Sequence, residues 1–406
     1  MWYYHTQLAV KAKRTEIAPD KGDERLQKSP PFFGPDGWAA AAEWERKQPR
    51  PEPDAEFADF VKAEFGHNYF HPESAEWRTF VGLSLAEFLV IVEPILGYQN
   101  KRGERLRVRA GITTDTPPNA FAALKDGTHY VGMSLSLIYA MMDIAAYIFS
   151  QSTMFPEIGD PTMEWNPRYD LDEVAGFYPA RAHLDGVRID PWSYERRLPR
   201  DPVRRHASIG LYLIMARFVW MHELMHCALG HVSFLQSKGA DNAIVEISPK
   251  TQLVGLGLDG IEARRARSIR HALELEADWH AFRVIFVIEI RGGPNEGIVS
   301  WGKSTRLQFT IFGAYLVIWL LEQHQAHLGG HDTGSHPSPA FRAEHMLERM
   351  TELAPNFAWF QELLPKWLDL IVKDIPHPVL SYPLGADPID QAELNRMLAP
   401  FKFIPL

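Results

Sequence analysis

An α+β fold, mostly α, with a small sheet is the architecture this sequence predicts. Apolar stretches of helical length recur at Ser136–Phe149, Ser208–Phe234 and Leu307–His324. Beside them stands one pair of short strand-like runs, Asn119–Leu124 and Thr128–Ser134, joined by the turn signal Lys125-Asp126-Gly127. Hydrophobic residues make up 46% and charged residues 23% of the 406 positions, ordinary globular usage and chain enough for one large domain or two smaller ones.

Taken in order, residues 1–60 read as loosely structured, because Ser29-Pro30-Pro31 and Gln48-Pro49-Arg50-Pro51-Glu52-Pro53 stop helices and strands alike. A helix is predicted near Leu83–Leu96, and residues 1–110 form an N-terminal extension of unknown role, partly irregular. Pro117-Pro118 opens the first strand of the hairpin, and a helix follows the second. Residues 151–205, rich in Pro, Asp and Arg and without a steady period, read as an insertion or covering subdomain within 111–350. A long helix is expected from about Ser208 to Phe234, then a loop over Ser237–Gly257. Asp259-Gly260-Ile261-Glu262 has the spacing of a capping box and starts a second long helix, to about Ile290. After Leu307–His324, Gly329–Pro339 is a loop, helices lie around Phe341–Leu353 and Phe357–Val372, and residues 351–406 make a C-terminal helix and tail. There is no internal repeat.

The formal net charge of -9 argues against nucleic-acid binding, which rests on neutralising phosphates with Lys and Arg. The basic patches Lys101–Arg109 and Arg264–Arg270 read as solvated faces. One cysteine, Cys227, allows no intrachain disulfide, and Met1-Trp2-Tyr3-Tyr4-His5 has no secretory pattern, so a cytoplasmic location is expected by default. Val131–Ser150 carries Asp143 and Leu307–Leu321 is only fifteen residues long, so both read as core helices and membrane association is not expected.

The chemistry lies in His222-Glu223-Leu224-Met225-His226. Residues four apart on a helix share a face, so the two imidazoles can share one zinc ion. Glu223, next to the first of them, can act as general base on a zinc-bound water. Two His buried only for packing would be the plainer reading. The preceding run Ile209–Met215 is apolar all round, however, and polar groups on so central a helix need partners. His231 falls about 140° round an ideal helix from His226 and reads as a helix-end or supporting residue, not a ligand. Cys227 reads as a small buried residue, though it could bind zinc and hold the enzyme latent. A third ligand is sought among Glu274-Leu275-Glu276-Ala277-Asp278. Glu274 and Asp278 share a face; one could ligate while the other hydrogen-bonds a liganding His, and the longer Glu274 suits ligation better. Glu276 lies about 200° from Glu274, exposed or paired elsewhere.

His222-Glu223-x-x-His226-x-x-x-x-His231, followed by Glu274-x-x-Ala277-Asp278, resembles the gluzincin metallopeptidases, most of all the family of the CAAX prenyl proteases and HtpX-type proteases. Asn119-Ala120-Phe121-Ala122 resembles that family's edge strand, and His336-Pro337-x-x-x-x-Arg342 its late His-Pro…Arg motif. There is a weaker likeness to the phage-exclusion protease Lit. The resemblance implies a zincin-like core over 111–350 with a small edge-strand sheet and a long HExxH helix. It implies one zinc on His222, His226 and Glu274, Glu223 as base, Asp278 supporting a His ligand, His336 near the zinc and Arg342 anchoring that segment. It further implies that Asn119, Ala120, Phe121 and Ala122 flank a protein or peptide substrate, which would add to the sheet as an extra strand. The expected activity is that of a zinc-dependent endopeptidase. An aminopeptidase or other zinc hydrolase is the alternative within enzymes, and a non-catalytic, zinc-braced helical protein the alternative outside them. Retention of Glu223 speaks against the last, because a structural site needs no base.

Overall fold

In the computed structural model the residues described are 54–66, 69–70, 81–114, 118–166, 198–239, 243–245, 261–291, 303–327, single positions between 337 and 349, and 390–404. These residues form an α+β arrangement, mostly α, around one four-stranded sheet.

Helix α1, Ala55–Phe65, starts where Asp54 accepts a hydrogen bond from the Phe57 amide (3.0 Å) and stops at Gly66, which takes the left-handed conformation. Helix α2, Leu83–Val92, continues into the short 3-10 turn Glu93–Ile95. The strands are β1 (Val108–Thr113), β2 (Ala120–Lys125), β3 (Thr128–Ser134) and β4 (Ala243–Val245), in the order β1-β3-β2-β4. The β2–β3 hairpin turns at Asp126 and Gly127, both at positive φ, which matches the twist of the strands it joins. β1 runs parallel to β3.

The sheet is covered on both sides. On one face Phe121, Ala123 and Tyr130 meet Phe57 and Phe60 of α1, with the Phe60 and Tyr130 rings stacked at 3.8 Å. The alternate residues, Ala120, Ala122, Val131 and Met133, enter the main core. Room for the rings comes from Gly132, paired with Phe121, where an added Cβ would sit 2.1 Å from the Phe121 ring.

Helix α3, Leu135–Ser150, leaves β3 directly through the Ser134 cap and is buried almost throughout. Helix α4, Pro202–Ala228, begins at the Asp201 cap with Pro202 in its first turn. It is the central element, packed against α2, α3, β2 and β3 and against the later helices α6 (Ile261–Arg291) and α7 (Lys303–His327). Its side chains are accordingly apolar on nearly all sides. A buried Arg217 pairs with Glu87 of α2 (3.1 Å) and with Glu289 of α6, locking the register of α6 against α4.

The helix expected to reach Phe234 ends instead at Ala228. Gly230 (φ +77°) turns the chain and α5, His231–Ser237, sets off afresh. A glycine is needed at this turn on two counts, its left-handed φ and the close approach of Phe401, 2.5 Å from where a Cβ would lie. The last helix, α8 (Gln391–Leu398), buries Leu394 and Leu398 against Phe234 and Leu273, and Phe403 donates its amide to the Ala228 carbonyl (2.9 Å).

One further expectation needs correction: the predicted loop Ser237–Gly257 contains β4. The basic side chains of Lys101–Arg109 are exposed or half-buried, in keeping with a solvated face, and the run leads into β1. The described parts of 151–205 are knit into the core: the buried Arg204 guanidinium donates to the carbonyls of Phe149, Gln151, Met154, Phe155 and Ile158 at 2.7–2.9 Å. Residues 1–53, 167–197 and the predicted helix 357–372 lie outside the described residues. Among the described residues, no helix is long and apolar enough to cross a membrane.

Candidate metal centre

One turn of α4 separates His222 from His226, and the two Nε2 atoms stand 2.9 Å apart. Glu274 of α6 brings Oε2 to 3.3 Å from His222 Nε2 and 3.6 Å from His226 Nε2. All three side chains are buried, and one ligand atom of each lies within 4.8 Å of the others. Ligand atoms about 2.0–2.1 Å from a common tetrahedral centre stand roughly 3.3 Å apart, and the three spacings here bracket that value. Two imidazoles and a carboxylate are also a donor set that suits zinc. The residues therefore fit a metal ion.

The ring nitrogens that face away from this triangle are held too. His222 Nδ1 lies 2.9 Å from Asp278 Oδ1. Asp278 is clamped by Arg342, whose Nε and Nη2 donate to its two oxygens at 2.6 and 2.7 Å. Burial alone would raise the Asp278 carboxyl, but the Arg342 charge and hydrogen bonds, with help from His222, hold it at about 2. His226 Nδ1 lies 3.0 Å from His231 Nδ1, and His231 Nε2 lies 3.2 Å from Glu276 Oε2. Glu276 Oε1 accepts from Lys402 Nζ at 2.8 Å. Burial pushes Glu276 up, yet His231 and Lys402 together bring it to about 2. Burial lowers His226 to about 4, and lowers His231 as well, so both rings are neutral near pH 7. A neutral imidazole is the form that binds a metal.

The structure thus brings together His222, His226, Glu274, Asp278 and Arg342, and buries Glu223 on the same turn of α4. Cys227 is buried as expected, with its thiol pushed well up by that burial. His336 lies outside the described residues, although Pro337 beside it is buried. His231 supports His226, as read from the sequence, but from a separate helix after Gly230 and not from the end of α4. Glu276 does face away from Glu274 and is paired elsewhere, as expected; it is buried, not exposed.

Asn119, Ala120, Phe121 and Ala122 do not form an edge strand. β2 pairs with β3 on one side and with β4 on the other, through Phe121↔Val245, Ala122↔Ile244 and Ala123↔Ala243. The short Ala-Ile-Val run after α5 occupies the side expected for substrate. Lys402 was missed altogether, and no motif or period around it points to the centre.

No family model matches this chain, and no curated protein or solved structure matches it.

Proposed function

We propose that this protein is a zinc-dependent metallopeptidase of the gluzincin type, an endopeptidase acting on protein or peptide substrates. One observation carries the reading. Once the outward Nδ1 atoms of His222 and His226 are given their protons, the lone pairs of two Nε2 atoms and a Glu274 oxygen converge on a single buried point. Three acceptors facing one another repel, and a cation between them turns that repulsion into binding.

A zinc ion bound by His222, His226 and Glu274 would supply Lewis acidity, polarising a substrate carbonyl and making water a nucleophile near neutral pH. Glu223, next to His222 on α4, is the residue to accept the proton of the attacking water and return it to the departing amine. Asp278 and the His231–Glu276 pair keep the liganding rings in the required tautomer. Among the described residues β4 is the outermost strand on that side, so an extended substrate adding to the sheet there would pair with β4, by main-chain hydrogen bonds. An internal stretch of polypeptide suits that mode, which favours an endopeptidase over an aminopeptidase.

The test is metal content together with a broad peptide-cleavage profile, wild type against Glu223→Gln. Wild type should hold about one zinc per chain and cut within peptides. Glu223→Gln should hold the same zinc and lose roughly 10²–10⁴-fold or more in turnover. A wild-type chain that takes up no zinc, or equal turnover in the two proteins, would overturn the reading, and release of single N-terminal residues would make it an aminopeptidase.

A further inference from the structure

The segment Asp390–Ile404 is docked at the far side of the metal centre by several contacts. Leu394 and Leu398 bury against Phe234 and Leu273, Phe401 packs over Gly230, and the Phe403 amide bonds the end of α4. These contacts bring Lys402 to Glu276, with a second hydrogen bond from Nζ to Asn395 (3.1 Å). The result is an unbroken series of polar contacts, Lys402–Glu276–His231–His226, that ends on a candidate ligand.

The series has a direction that the donor inventory forces. A lysine ammonium only donates, and an ionised carboxylate only accepts. Glu276 therefore accepts from Lys402 on one oxygen and from His231 Nε2–H on the other. With its proton on Nε2, facing Glu276, His231 offers a lone pair at Nδ1. His226 must then place its proton on Nδ1, and its Nε2 lone pair is left facing His222 and Glu274. Reversing the first link reverses the last: a proton on His231 Nδ1 puts the His226 proton on Nε2, where it blocks ligation.

We infer that Asp390–Ile404 is part of the metal centre and that Lys402 is a positioning residue, setting the tautomer and orientation of His226 through Glu276 and His231. The inference rests on His226 being a metal ligand. It makes the two imidazoles equivalent in design: a carboxylate on α6 orients each, and a cation from a later segment holds each carboxylate, Arg342 for His222 and Lys402 for His226.

The experiment is titration of the full-length, metal-stripped chain with Zn²⁺ against a chelator, and with Co²⁺ followed by its visible absorption. Lys402→Met should weaken metal binding by about 10–100-fold, the range for loss of a group that supports a ligand. It should also change the Co²⁺ spectrum, and Lys402→Arg should restore most of both. Glu276→Gln preserves shape at the buried position and should weaken binding comparably, which keeps the test open should Lys402→Met fail to fold. If wild type and His226→Ala bind metal equally, the underlying ligand assignment falls. If wild type binds and His226→Ala does not, while Lys402→Met or Glu276→Gln binds as wild type does, the ligands stand and the positioning role is refuted. A loss of thermal stability in metal-free Lys402→Met, with metal affinity and Co²⁺ spectrum unchanged, likewise refutes it.

Discussion

Arg342 grips both carboxylate oxygens of Asp278, 64 residues earlier in the chain, in a buried two-pronged pair. The pair fixes a single orientation of the carboxylate, with Oδ1 also 2.9 Å from His222 Nδ1. Removing one partner leaves the other charge buried and uncompensated. Arg342→Met should therefore cost about 3–5 kcal/mol in urea unfolding of the metal-free protein. The double variant Asp278→Asn/Arg342→Met should lose less than the sum of its parts. Simple additivity would mean that the two residues do not act as a pair.

Zinc affinity should rank the acids of α6. Glu274→Ala removes a candidate ligand and should be the most damaging. Asp278→Ala and Glu276→Ala should each cost roughly 10–100-fold, because each supports a different imidazole. From the sequence alone, Glu276→Ala is expected to be nearly silent. A competition titration of the three purified variants settles the order, and wild-type affinity in Glu274→Ala would remove that residue from the ligand set.

Those two expectations for Glu276 differ for a definite reason. Helical spacing tells which residues share a face, so His222 with His226 and Glu274 with Asp278 were legible without a structure. The same spacing turned Glu276 away from the candidate metal site, correctly, but could not say what waits on the other side. Its partner Lys402 is 126 residues distant and reaches it only because Leu394, Leu398 and Phe401 find a surface on α5 and α6. β4 was hidden for a related reason, being three residues long and paired only through the fold. β1 was masked by the arginines around it, one of which, Arg109, pairs with Asp54 and Glu56 at the start of α1. The stop at Gly230 was legible in principle, since a glycine after an apolar helix is a common terminus.

Gly230→Ala should be worse than the same change at Gly239. Both glycines have φ +77°, which costs an L-residue about 1–2 kcal/mol, but only Gly230 has Phe401 within 2.5 Å of the new Cβ. Overpacking there adds about 1–3 kcal/mol. Thermal unfolding should drop clearly further for Gly230→Ala, and matched losses at the two positions would show that Phe401 moves aside freely.

His129, on β3 and remote in sequence from the candidate ligands, gives a pH signature. Burial holds it at about 4, against about 6.5 in an unfolded chain. Above pH 6.5 it is neutral in both states and contributes nothing. Between about 6.5 and 4 only the unfolded chain takes up its proton, so stability falls as pH falls, by up to about 1.4 kcal/mol per unit. Urea unfolding at pH 7, 6 and 5 should show a shallower decline in His129→Leu than in wild type. Parallel declines would mean that His129 titrates normally when folded.

Cys227 carries the chain's one thiol, walled in on the turn of α4 that holds His226. A reagent in solvent can reach it only when that turn opens, so the rate of alkylation clocks the breathing of the helix end at a single atom. An ion that binds the closed form alone slows that clock by the factor 1 + [ion]/Kd. The thiol would therefore serve as an occupancy gauge, and one labelling time course across a zinc series would read how firmly an ion ties the end of α4 to the middle of α6, with no substrate needed.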